Sequence, residues 1–185
     1  FPLTPGTRGI SLEEAAVLRM LTQASQARIC LEIGTYRGWT SYYLASIIPH
    51  DGHVYTLDLP EGQSAALEVK QRDEYGLTSF QIGEVFRKLT THSRKITQLT
   101  GDSATFDFSS IGVLFDLIFI DGAHSSAYIH SDTENAFKLV HPSSLIVWHD
   151  YKSACPEVIH YLNRLAESRT LWHIQNTSLV IHRVG

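Results

Sequence analysis

Acidic side chains stand where five predicted strands of this chain end. They are Glu32, Asp58, Asp102, Asp121 and Asp150, the last preceded by His149. In an open α/β sheet, ligands bind at the carboxyl ends of the strands, so we expect these side chains to line one site. Carboxylates attract a cation and repel a pyrophosphate. The pattern therefore favours an adenosyl ligand with a positive charge over a dinucleotide.

A glycine turn follows the first of these strands. An apolar stretch runs through Glu32 into Gly34-Thr35-Tyr36-Arg37-Gly38, and a helix is predicted to follow. Neither glycine carries a Cβ, so the backbone can approach a ligand closely, and the first amides of the helix point towards the same space. The turn lacks the Gly-x-Gly-x-x-Gly pattern of dinucleotide-binding proteins. It predicts one wall of a cofactor site without identifying the cofactor.

Position along the chain suggests roles for two of the acids. Asp58 follows Gly34 at a distance that suits an acceptor for the ribose hydroxyls, at the end of the second strand. Asp102 ends the next strand, where it can accept a hydrogen bond from an adenine amino group. Each acid also has a structural alternative, as the cap of a helix or as a former of a turn.

Strands and helices alternate along the chain. Strands are predicted over 27–34, 53–58, 95–100, 115–121 and 145–148, with helices over 40–48 and 128–140 and another from Pro156. This alternation implies a parallel sheet with helices on both faces. Residues 171–174 and 178–182 are typical of a hairpin that adds an antiparallel strand. The predicted fold is α/β, a doubly wound, mostly parallel seven-stranded sheet with a C-terminal antiparallel hairpin, in a single domain over 1–185.

Two further segments are expected to border the site. Residues 1–26 form an N-terminal helical segment, in which Ser11 and Glu14 have the spacing of a capping box. This helix is expected on the sheet edge or over the cofactor. Residues 60–94 form a variable cover segment, helical over 61–75 and without a clean period over 80–94. Because this segment is long for a connection between a strand and a helix, we expect a mobile cover or a second helix there.

Composition and charge narrow the class of protein. The chain has 185 residues, 43% of them hydrophobic, and a net charge of −4, which gives no footprint for nucleic acid or for an anionic membrane. We find no apolar run long enough to span a bilayer and no signal peptide. Cys30 and Cys155 are expected to be reduced thiols. A cytoplasmic protein is the expectation.

Taken together, these motifs resemble those of class I S-adenosylmethionine-dependent methyltransferases. The resemblance rests on Glu32–Gly38, Asp58, Gly101-Asp102-Ser103, Asp121-Gly122-Ala123-His124-Ser125 and Trp148-His149-Asp150-Tyr151. The last two segments are similar to those of a group of small O-methyltransferases, and the likeness runs from about Arg28 to Arg183. It implies a Rossmann-like fold, S-adenosyl-L-methionine as cofactor, and methylation of a small-molecule hydroxyl of sugar, phenolic or polyketide-like type.

The resemblance also implies a role for each site residue. Glu32, Gly34 and Gly38 would frame the methionine part of the cofactor, Asp58 would hold the ribose, and Asp102 with Ser103 would face the adenine. The full set of expected cofactor contacts is Glu32, Gly34, Thr35, Tyr36, Gly38, Asp58, Gly101, Asp102, Ser103 and Asp121. Tyr36 stands where many class I members have a glycine.

The acceptor side of the predicted site leaves alternatives open. In metal-dependent relatives an acid at the position of Asp121 and a polar pair after the next strand bind a divalent cation. Here the metal site would be Asp121, His149 and Asp150, for Mg²⁺ or another divalent cation, although Mg²⁺ prefers oxygen ligands to histidine. Without a metal, His149 or His124 is the natural general base. The expected catalytic residues are Asp121, His124, His149 and Asp150, and local hydrogen bonding is the structural alternative for the His149-Asp150 pair.

Two other classes of function compete with methyl transfer. They are a nucleotide-binding oxidoreductase and a non-catalytic module that binds an adenosyl ligand. Because a chain of this size leaves no room for a substrate domain, the opening helix and residues 60–94 must shape the acceptor pocket, alone or with the second subunit of a homodimer.

Overall fold

The computed structural model describes residues 9–60 and 81–185, and within these ranges it contains seven strands and five α-helices. The strands are β1 (Ile29–Ile33), β2 (His53–Asp58), β3 (Ile96–Thr100), β4 (Phe115–Ile120), β5 (Val140–Trp148), β6 (Trp172–His173) and β7 (Val180–Arg183). The helices are α1 (Leu12–Ala24), α2 (Trp39–Ile47), α3 (Glu84–Lys88), α4 (Ser126–Lys138) and α5 (Pro156–Leu165), with short 3₁₀ turns at Ser93–Lys95 and Phe108–Ile111.

The seven strands form one sheet in the order β3-β2-β1-β4-β5-β7-β6. Strands β1 to β5 pair in parallel, whereas β7 runs antiparallel to both β5 and β6. The prediction of a mostly parallel sheet that ends in an antiparallel hairpin is therefore confirmed. Strand β1 lies between β2 and β4, and the direction of winding reverses there, which opens a crevice at the carboxyl ends of these strands.

Strand β4 divides the core between the two faces of the sheet. Ile118 and Ile120 belong to one apolar cluster, with residues of α4 and α5, and Leu117 and Phe119 belong to another, with residues of α1 and α2. Successive side chains of a strand point to opposite faces, so an apolar strand of this kind is buried on both sides. The doubly wound architecture follows from this pattern.

The sequence prediction was wrong about the start of β5. Helix α4 was predicted to run to Val140 and β5 to begin at Leu145, but α4 ends at Lys138 and β5 begins at Val140. Val140 pairs with Phe115, and the register shifts before Leu117. Pro142, which has no backbone N–H to donate, lies in this irregular part of the strand. A tertiary pairing thus overrides the local signal that Pro142 gives.

The predicted border segments are partly described. Helix α1 has the capping box expected from Ser11 and Glu14. Of the cover segment, α3 is a short helix, and the helix predicted over 61–75 lies outside the described residues. Cys30 and Cys155 are both free and buried, as expected. Within 9–60 and 81–185, no helix is long and apolar enough to cross a membrane.

Candidate functional site

The glycine turn after β1 packs directly on the end of β4. The Gly34 amide donates to the Leu57 carbonyl at 2.9 Å, and the Asp121 amide donates to the Ile33 carbonyl at 2.8 Å. Gly34 has φ +102°, and a Cβ added there would lie 2.0 Å from the carbonyl oxygen of Asp121. Only glycine fits, because both the conformation and the space exclude a side chain.

Helix α3 covers the same turn. The amides of Gly83 and Val85 donate to the carbonyls of Tyr36 and Arg37, each at 2.9 Å. A Cβ at Gly38 would lie 2.6 Å from the Phe86 ring. The sequence interpretation explained Gly38 by the approach of a ligand, and the structure adds the packing of Phe86 as a second reason for glycine there.

Glu32 is buried inside the sheet, 1% exposed. The hydroxyls of Ser41 on α2 and Thr56 on β2 both donate to its Oε2 atom. Burial raises the pKa of Glu32 to about 8, with a smaller contribution from the charges of Asp121 and Asp58 and in spite of the two hydroxyl hydrogen bonds. Glu32 therefore retains its proton near neutral pH and ties β1 to its two neighbouring elements.

Asp58 and Asp102 are held by backbone amides at the ends of β2 and β3. The two carboxylate oxygens of Asp58 accept from the amides of Tyr36 at 2.7 Å and Leu59 at 2.8 Å. Asp102 accepts from the amide of Ala104 at 3.0 Å and from the Tyr128 hydroxyl at 3.1 Å. Each carboxylate is fixed in orientation by these hydrogen bonds.

The Gly101-Asp102-Ser103 segment lies next to Asp58 at the end of β2. The Gly101 amide donates to the Asp58 carbonyl at 2.9 Å, and the side-chain amide of Asn135 on α4 donates to the Ser103 carbonyl at 3.4 Å. The hydroxyls of Thr35 and Thr56 are hydrogen-bonded at 2.7 Å. The expected cofactor residues at the ends of β1, β2 and β3 therefore lie together at one edge of the sheet. Whether each one contacts a cofactor stays a prediction.

A charged cluster stands at the ends of β4 and β5. The His149 Nδ1 atom lies 2.9 Å from Asp121 Oδ1 and 3.3 Å from Asp150 Oδ1. Asp150 Oδ2 lies 2.5 Å from Nε2 of His124, and Lys152 forms an ion pair with the other oxygen. The structure therefore brings together all four residues that the sequence predicted to be catalytic.

The charges of the cluster stabilise one another. Burial disfavours a charge on His149, but the nearby Asp121, with hydrogen bonds to Asp121, Asp150 and Glu14, raises the pKa of His149 to about 12. The pKa of Asp150 is lowered, since hydrogen bonds from His124 and His149 outweigh the cost of its burial. Asp150 also has φ +63°, a conformation that aspartate adopts more readily than most residues.

Sequence reasoning missed Glu14, Lys152 and Ser178 as members of this cluster. Glu14 Oε2 lies 3.3 Å from Nε2 of His149, and Glu14 Oε1 accepts from both the amide and the hydroxyl of Ser178. The capping box did single out Glu14, but as a helix cap alone. Nothing in the local sequence shows that a residue near the start of the chain reaches the end of β5.

Among residues 9–60 and 81–185, two overlapping groups of side chains have ligand atoms within 4.8 Å of one another. One is Asp121, His149 and Asp150, and the other is His124, Asp150 and Cys155. The first group is the metal site predicted from the sequence. Because Nε2 of His149 faces Glu14, its Nδ1 atom is the ring nitrogen that faces the two aspartates, which is a ligand arrangement common in metal sites.

Known proteins share this architecture. The crystal structure of a candidate caffeoyl-CoA O-methyltransferase from Staphylococcus aureus superimposes with a TM-score of 0.72 at 19% identity, covering 96% of this chain and 85% of that one. The O-methyltransferase TomG from Streptomyces achromogenes, solved with SAM, gives 0.61 at 20% identity, with 96% and 82% covered. Strand order and these likenesses define the fold as that of class I S-adenosylmethionine-dependent methyltransferases.

The sequence places the chain within this class. A family model described as a methyltransferase domain matches residues 31–151, so the chain belongs to that family. It is also 30% identical over 138 residues to the catechol O-methyltransferase of Niastella koreensis. The aligned region covers 75% of this chain and 56% of the relative. The chain thus spans a little over half the length of the curated relative it matches.

Proposed function

We propose that this chain catalyses the S-adenosylmethionine-dependent methylation of a hydroxyl group on a small molecule. The observation that carries the proposal is the set of carboxylates at the ends of β2, β3 and β4, arranged around the Gly34 turn of a methyltransferase fold. The relative described as a catechol O-methyltransferase supports phenolic hydroxyls as the first acceptor class, with sugar and polyketide-like hydroxyls as the others.

The described residues suit this cofactor. The carboxylate of Asp58 is oriented by two amides at the carboxyl end of β2, where an acceptor for the ribose hydroxyls is expected. Asp102 is similarly placed for the adenine amino group. Asp121 follows β4 and contacts both the end of β1 through its amide and His149 through its carboxylate, so its negative charge suits a sulfonium bound between them. When bound, S-adenosylmethionine supplies the methyl group from this sulfonium.

The acceptor hydroxyl has to lose its proton for the transfer. A phenol with a pKa of about 10 is only ~0.1% ionised at pH 7, a deficit of about 4 kcal/mol. Of the two histidines, His124 suits the general base, because its side chain is 36% exposed and is oriented by Asp150. His149 faces carboxylates with both ring nitrogens, so it stays protonated and stabilises the oxyanion by its charge.

The cluster also fits a divalent cation. Two carboxylates and one imidazole are a donor set that a transition ion accepts more readily than Mg²⁺. Asp121, His149 and Asp150 would hold the ion, which would stabilise the substrate oxyanion and align it with the methyl group. The ion would replace the proton on Nδ1 of His149, so the metal-free and metal-bound forms use the same three side chains.

Calorimetric titration with S-adenosylhomocysteine tests the proposal. We expect micromolar binding by the wild type, a loss of about tenfold or more in Asp58→Asn, and no change in the exposed control Asp51→Asn. Absence of binding at millimolar ligand would contradict the proposal, and stabilisation by NAD instead would favour the oxidoreductase.

Product analysis separates an enzyme from a binding module. Phenolic, sugar and polyketide-like acceptors are incubated with the chain and S-adenosylmethionine, and the methylated product is detected by mass spectrometry. We expect the product with at least one acceptor class, and its loss in His124→Gln. Binding without any product would favour the non-catalytic module. The homodimer and the cytoplasmic location remain predictions from the sequence.

A further inference from the structure

Glu14 receives more hydrogen bonds than a helix cap requires. Its Oε2 atom accepts from the Ser11 amide at 2.8 Å and lies 3.3 Å from Nε2 of His149. Its Oε1 atom accepts from the Ser178 amide at 2.8 Å and the Ser178 hydroxyl at 2.6 Å. The side chain is buried, and its four donors belong to three residues, of which His149 and Ser178 lie far along the chain from Glu14.

Only an ionised carboxylate can serve all four donors. Each oxygen of Glu14 accepts two hydrogen bonds, whereas a glutamine would place an NH₂ group against one of these pairs of donors. Shape and charge at this position are therefore both set by the site.

The contact with Glu14 determines which edge of the His149 ring is directed at the two aspartates. With Nε2 held by Glu14, Nδ1 lies within 2.9 and 3.3 Å of the Asp121 and Asp150 carboxylates. A rotation of the ring by half a turn would point a carbon atom at these carboxylates. In metal sites, a carboxylate on the far ring nitrogen fixes both the tautomer and the orientation of a histidine ligand.

We propose that Glu14 is a positioning residue, which fixes His149 with Nδ1 towards Asp121 and Asp150 and so makes these three side chains a site for a divalent transition-metal ion. The inference rests on the proposed function, in which a metal ion at this site would stabilise the substrate oxyanion. It gives a residue of α1 a part in a site whose proposed ligands stand at the ends of β4 and β5. The same carboxylate caps α1, so the start of this helix and the acceptor side of the site share one group.

Titration with Co²⁺, followed by its visible absorption, tests the inference on the full chain. We expect the wild type to bind one ion and Glu14→Gln to bind it about 10–100-fold more weakly, which is the usual effect of losing such a partner. Glu13→Gln is the matched control, because Glu13 is the exposed neighbour on the same helix turn. Its Co²⁺ affinity is expected to equal that of the wild type.

A second control separates positioning from helix capping. Ser11→Ala removes the hydroxyl that accepts from the Glu14 amide at 3.1 Å and leaves the Glu14–His149 contact in place. We expect Ser11→Ala to bind Co²⁺ within about twofold of the wild type, while its urea-unfolding midpoint falls because the helix cap is lost. Far-UV circular dichroism and urea unfolding are measured on all variants to show that each is folded.

Three results would overturn the inference. They are wild-type affinity in Glu14→Gln, equal weakening in Ser11→Ala, and failure of the wild type to bind Co²⁺. Failure of the proposed function is a different result, because a wild type without affinity for S-adenosylhomocysteine would still show the Co²⁺ pattern across the variants if Glu14 positions His149.

Discussion

The two sides of the site are built in different ways. On the side proposed for the cofactor, which we call the cofactor side, carboxyl groups at the ends of β1, β2 and β3 are held by backbone amides and hydroxyls, and Glu32 retains a proton. On the acceptor side, at the ends of β4 and β5, carboxylates are held by cationic side chains. The first arrangement is local and needs few charges, whereas the second depends on ion pairs between distant parts of the chain.

The largest effect is expected where the two sides meet. Gly34→Ala places a methyl group 2.0 Å from the Asp121 carbonyl at φ +102°, so the turn and the end of β4 must separate. We expect a loss of more than about 3 kcal/mol in urea unfolding. Gly112→Ala is the control, since φ is +73° there but nothing lies within 4 Å of the added Cβ, and about 1 kcal/mol is expected. Equal losses would show that the two sides do not depend on this contact.

A pair of substitutions is expected to separate the two sides by their ligands. Asp58→Ala weakens S-adenosylhomocysteine about 10–100-fold, because two hydrogen bonds to a charged acceptor are lost, and leaves Co²⁺ affinity unchanged. Asp150→Asn, which tolerates φ +63°, does the reverse. Both affinities are measured by calorimetry. Loss of both ligands in either variant would mean that the two sides act as one unit.

The protonated state of Glu32 predicts a pH dependence that belongs to the cofactor side. Its pKa is raised from 4.5 to about 8 by burial, so the folded state binds a proton that the unfolded state has released. The stability that protonated Glu32 contributes is fully present below about pH 4.5 and is lost as the pH rises towards 8. Relative to Glu32→Gln, we expect the wild type to lose on the order of 4 kcal/mol over this range, measured by urea unfolding. A constant difference between the two proteins would show that Glu32 is ionised throughout.

The smallest effects are expected for the exposed partners. Lys152 is 49% exposed and pairs with Asp150, and Arg37 is 37% exposed and pairs with Glu84 beside the glycine turn. We expect Lys152→Gln and Arg37→Gln each to lose less than about 1 kcal/mol, with both losses fading at high salt. A larger, salt-resistant loss for Lys152→Gln alone would show that the acceptor side depends on this charge.

The sequence predicts most of the fold and the placement of carboxylates at the ends of β2 and β3, because both depend on signals within short stretches of the sequence. Strand β4 is an unbroken apolar run, and Asp58 and Asp102 come directly at the ends of strands. The start of β5 could not be predicted, since Val140 is a strand residue only through its pairing with Phe115. Glu14 was missed as a site residue for the same reason, because its partner His149 lies 135 residues further along the chain.

Glu14 both caps α1 and contacts His149, which limits how far this chain can be shortened. The match to the methyltransferase family covers residues 31–151, which makes 31 and 151 natural boundaries for a shortened chain. Such a chain would keep Asp121, His149 and Asp150 but lose both Glu14 and Ser178, and with them the acceptor for Nε2 of His149. A minimal functional unit therefore has to begin before α1 and continue at least through Ser178.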